Sequence, residues 1–129
     1  METTAATLAW SAGWSLVIAG FASGAALGLG FAREEFLGGY AMWRRRLLRL
    51  GHVACVMLGV LLMLFAQSPA ASAPHAMLTA QLWLIGGITM PAVCALAAWK
   101  QPLRALFPIP VVSLCAAAVL TLIHVAIQR

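Results

Sequence analysis

The feature that most constrains this chain is where charge is missing. Its 129 residues carry charged side chains only at Glu2, Arg33, Glu34, Glu35, Arg44, Arg45, Arg46, Arg49, Lys100, Arg104 and Arg129, which leaves uncharged runs of 30 residues (3–32), 50 residues (50–99) and 24 residues (105–128). A helix needs about 20 predominantly apolar residues to cross a hydrocarbon core, so the outer runs hold one span each and the middle run holds two. Hydrophobic residues make up 64% of the chain and charged ones 9%, with a mean hydropathy of +0.98, whereas a soluble domain is roughly half apolar and a quarter charged. The expected fold class is all-α: an integral membrane four-helix bundle, one domain over 1–129, with spans at about 7–31, 47–66, 77–99 and 106–127. This composition excludes a soluble enzyme core, a nucleic-acid binder and a disordered tail; the first partner it implies is the lipid bilayer.

The net charge of +5 is explained by location. Positive residues near span ends favour the cytoplasmic side. One basic connection holds Arg33 and Arg44–Arg49, the other Lys100 and Arg104, and two spans separate them, so both fall on the same side. The connection from Gln67 to Ala76 is uncharged and suits a short outer loop. Both termini are expected to face outward, with Arg129 weakly opposing, in a multi-pass protein of the bacterial inner membrane. The first span lacks the basic start and polar cleavage segment of a signal peptide and is expected to be retained. Trp10, Trp43, Trp83 and Trp99 read as interfacial anchors near span ends. Pro91 interrupts the amide ladder of the third span, whereas Pro108 and Pro110 fall at the start of the fourth, where a missing amide costs little. Trp43-Arg44-Arg45-Arg46-Leu47 and Trp99-Lys100-Gln101-Pro102-Leu103 hint at a duplicated helical hairpin.

Gly20, Gly24 and Gly28 recur every fourth residue of the first span and predict a helix-packing face, within the bundle or against a second subunit; Gly13 reads as lying off that face. On the second span, Arg45, Arg49 and His52 form an inner-leaflet polar strip that continues to Gly59. The expected structural arrangement pairs Arg45 or Arg49 with Glu34 or Glu35, and gives His52 a backbone carbonyl.

Chemistry-bearing residues are sparse. The chain has no Asp or Asn, and its glutamates lie outside every span, so no intramembrane carboxylate is at hand to carry a proton or cation. Cys55, Cys94 and Cys115 are unpaired in sequence and suit packing. His52 and His124 are weak candidates for cofactor binding, but they stand at opposite ends of their spans, so a haem between them is disfavoured; His75 with His124 keeps a geometric option on the outer side. His52, Cys55 and Cys94 are the corresponding weak metal candidates, since imidazole and thiolate suit soft metals. No catalytic residue, metal site or cofactor is expected from these residues, and no enzyme activity.

The stretches Arg49-Leu50-Gly51-His52-Val53-Ala54, Met90-Pro91-Ala92-Val93-Cys94-Ala95-Leu96-Ala97-Ala98-Trp99 and Pro102-Leu103-Arg104-Ala105-Leu106-Phe107-Pro108-Ile109-Pro110-Val111 resemble a family of small, uncharacterised four-span bacterial inner-membrane proteins. The resemblance runs over most of the chain after Arg33 and implies a membrane location without an activity, because the family has none assigned. The sequence reading is thus a noncatalytic accessory or packing subunit of a membrane complex, or a homo-oligomer. A small transporter or channel lined by glycine, Ser113, Thr121 and His124, with Arg49 and His52 at its inner mouth, is the alternative. A haem- or copper-binding membrane protein comes third.

Overall fold

A computed structural model describes residues 4–39 and 41–127; Glu2 and Arg129, which entered the charge argument above, lie outside the described residues. Among these residues the chain forms four long α-helices: α1 (Thr4–Phe31), α2 (Trp43–Gln67), α3 (Ala76–Trp99) and α4 (Pro108–Ile127). Each is long and apolar enough to cross a membrane. At 1.5 Å per residue, the 20 residues of α4 match a hydrocarbon core of about 30 Å.

The helix ends follow local chemistry. Two glycines at positive φ, Gly38 (φ 85°) and Gly39 (φ 94°), let the chain reverse after α1. Nothing between Trp43 and Leu47 breaks a helix, so α2 starts four residues before the expected Leu47 and carries Arg44–Arg46 in its first turns. After α3 a 3₁₀ segment, Gln101–Leu106, leads to α4, which opens on Pro108, a residue with no amide to leave unsatisfied. α3 continues as one helix through Pro91.

α1 packs on α2, α2 on α3 and α3 on α4, with a further contact between α1 and α3. The core under the α2–α3 connection gathers Ala5, Ala9, Leu62, Phe65, Ala70 and Trp83. Two bonds fasten α4 to α3: Ser113 donates to the Leu82 carbonyl at 2.7 Å, and the Trp83 indole donates to Thr121 Oγ1 at 3.1 Å. Trp83 is only 8% exposed, so it joins two helices and is not the interfacial anchor expected from its position. Trp10 and Trp14, 43% and 48% exposed, stand on the surface of α1 together with Phe21.

The duplicated-hairpin expectation fails. Trp43 opens α2 whereas Trp99 closes α3, so the two similar stretches sit on opposite limbs of their turns. They brace each other across the bundle, with the Arg44 guanidinium 5.9 Å from the Trp99 ring centre and that of Arg104 5.4 Å from Trp43.

Candidate functional site

The site grows from the α1–α2 crossing. There two glycines meet backbone to backbone: a Cβ on Gly13 would lie 2.7 Å from the Gly59 carbonyl oxygen, and a Cβ on Gly59 2.6 Å from that of Gly13. Gly20 follows against Val56, and Gly24 against the imidazole of His52, while Gly28 has nothing within 4 Å. Within the bundle, the contact face of α1 is therefore shifted from the expected Gly20, Gly24 and Gly28 toward Gly13. Each four-residue step rotates about 40° around a helix, which carries Gly28 about 80° from Gly20, whereas the seven-residue step from Gly13 to Gly20 drifts only about 20°. Gly13 belongs to the face and Gly28 leaves it.

The bare backbone at Gly24 makes room for the His52 ring, whose Nδ1 lies 2.7 Å from the Gly20 carbonyl oxygen. A carbonyl can only accept, so Nδ1 carries the hydrogen and, in the neutral ring, Nε2 holds the free lone pair. Ser23 Oγ donates to the same carbonyl at 2.8 Å. One turn along α2, the Cys55 thiol donates to the Leu16 carbonyl at 3.2 Å.

The inner-leaflet polar strip divides. Arg45 and His52, about 20° apart around α2, both turn toward α1, and Arg45 is 5% exposed with its guanidinium 4.2 Å from the Phe31 ring centre. It reaches the carbonyl oxygens of Phe31 and Glu34 at 3.4 and 3.5 Å, so its contact with Glu34 runs through the main chain. Arg49, about 40° from Arg45, is exposed beside Arg46 and Val53, and the side chains of Glu34 and Glu35 lie in the exposed turn after α1.

Between α1, α2 and α3 opens a cavity of about 390 Å³, bounded by Ala19 and Ser23 of α1, Gly51 and His52 of α2, and Pro91 and Ala95 of α3. The small side chains on these faces create it. No described residue hydrogen-bonds His52 Nε2, and that atom is not enclosed by protein.

The weak metal candidates do not converge. His52 and Cys55 turn to α1, Cys94 lies against Gly51, and no group of three or more His, Cys, Asp or Glu side chains among the described residues could hold a metal ion. His124, the other cofactor candidate, stands at the opposite end of the bundle with its ring centre 6.2 Å from that of His75. Its Nε2 is buried without a hydrogen-bond partner among the described residues. Ser113 and Thr121, two of the expected pathway residues, lie in the α3–α4 contact, and His52 lies in the α1–α2 contact.

Sequence reasoning missed the Gly13–Gly59 contact and the Trp83–Thr121 bond. Continuing the seven-residue spacing from Arg45 through His52 to Gly59, and asking what on α1 shares it, would have found the first. No family model matches the chain, and no curated protein and no solved structure matches it either.

Proposed function

We propose that this chain is a noncatalytic protein of the bacterial inner membrane, acting as an accessory or packing subunit of a membrane complex or as a homo-oligomer, with its basic end in the cytoplasm. One observation carries this reading: four polar side chains between the described helices fasten one helix to another. His52 holds Gly20, Cys55 holds Leu16, Ser113 holds Leu82 and Trp83 holds Thr121. Such a chain offers a membrane partner shape and apolar contact rather than chemistry. Purification in mild detergent, followed by cross-linking and mass analysis of the native particle, tests it. A stoichiometric second protein or a defined oligomer is expected; a monomer with no partner at native expression level would refute it.

A second reading, haem or copper binding, rests on the His75–His124 pair and the unbonded Nε2 of His124. Its test is a visible spectrum and metal analysis of the purified protein, repeated for His124→Ala.

A further inference from the structure

We propose that the cavity between α1, α2 and α3 binds a lipid-soluble alcohol or phenol, an apolar body bearing a hydroxyl that donates to His52 Nε2. The inference is independent of whether the chain has a protein partner. Three observations combine. The cavity, about 390 Å³, falls in the range of small-molecule sites, roughly 300–1,000 Å³. At roughly 30 Å³ per water-sized group, it takes about a dozen non-hydrogen atoms. Its walls are Ala, Leu, Gly and Pro together with Ser23, His52 and Cys55, whose thiol already donates to the Leu16 carbonyl, which selects an apolar body.

Hydrogen bonding selects the head. Ser23 already donates to the Gly20 carbonyl, and so does His52 Nδ1. That bond fixes the neutral tautomer and leaves Nε2 as an acceptor without a partner among the described residues. In a water-poor interior an acceptor left unpaired is costly, so a ligand with a donor is favoured over an equal-sized one without. The cavity wall also has a way in from the bilayer, because Ala19, Ser23 and Ala26 of α1 are exposed on its rim.

The test uses the full chain in nanodiscs of saturated phosphatidylcholine, whose headgroup has no hydroxyl, with ¹⁵N-labelled histidine. Two donor probes represent the two sources of this chemistry: farnesol for isoprenoid alcohols, and 2-methyl-1,4-naphthoquinol, kept reduced, for quinols. Farnesyl methyl ether and 2-methyl-1,4-naphthoquinone are their controls without a donor. Saturable binding is expected, with a shift of the His52 Nε2 resonance by at least one donor probe and roughly three- to tenfold weaker binding of its control. Which donor probe binds identifies the source.

Ala95→Leu, which fills the cavity without touching the His52–Gly20 bond, should weaken binding at least tenfold. His52→Phe should abolish the preference for the donor. If that variant does not fold, the probe comparison and Ala95→Leu decide the matter alone. Equal affinity for donor and control, or indifference to Ala95→Leu, would overturn the proposal and leave the groove to lipid acyl chains.

Discussion

Arg45 is the only basic side chain that is buried among the described residues, and the reason lies at the end of another helix. The last carbonyls of α1 have no intrahelical donor, and the helix dipole places partial negative charge there. The Arg45 guanidinium meets both needs by reaching the Phe31 carbonyl and lying over the Phe31 ring. Arg45→Met keeps most of the stem and removes the guanidinium, so it should destabilise the bundle by about 1–3 kcal/mol. Arg45→Lys should fall between, because an ammonium keeps the charge but not the planar stack. Arg46→Met, on the exposed side of α2, should change stability by no more than about 0.5 kcal/mol. Thermal unfolding in detergent measures all three, and an Arg45→Met variant as stable as Arg46→Met would deny Arg45 this role. The shared face of Arg45 and His52 could be read from their spacing. Their acceptors could not, because carbonyls of Phe31 and Gly20 are chemically like every other carbonyl in the chain.

At the scale of helices, the number and type of elements were legible because hydrocarbon admits few alternatives: backbone groups must be satisfied within each span. Contacts between helices were less legible. Sequence spacing marks a stripe of small residues but not where along it two helices cross, and the structure moves that point to Gly13 and Gly59. Gly13→Leu should therefore separate α1 from α2 and cost several contacts at roughly 1–2 kcal/mol each. Gly28→Leu, which meets open space, should be tolerated. Melting temperature and gel-filtration profile distinguish them, and equal tolerance would mean that the crossing lies elsewhere. The α3–α4 contact gives a second check. Trp83→Phe removes the donor to Thr121 Oγ1, with an expected loss of about 0.5–1.5 kcal/mol and faster hydrogen exchange confined mainly to α4 and its partner turns in α3.

For the whole molecule, charge asymmetry is the feature with the widest consequence. Seven of the eight Lys and Arg residues, all but Arg129, lie in or beside the α1–α2 and α3–α4 connections. The fold draws these two connections together, since Arg44 lies over Trp99 of one and Arg104 over Trp43 of the other. The cations thus form a single basic end, while the connection between α2 and α3 is uncharged at the other end. Cytoplasmic retention of positive charge acts on residues close to span ends, and every one of these seven lies within that reach. The expected orientation puts the basic end in the cytoplasm and the described C-terminal end of α4 outside. Alkaline phosphatase fused at the C-terminus should be active, because it folds only in the periplasm, and a fluorescent protein fused there through the same export route should be dark. Replacing Arg44, Arg46 and Arg49 by Gln removes three cations and leaves the buried Arg45 in place, so it should yield a mixed population in which both reporters work. A C-terminal phosphatase that is silent in the unmodified protein, with a fluorescent fusion that is bright, would invert the bundle. The inversion would move the His52 cavity to the outer leaflet and the His75–His124 pair to the cytoplasmic side.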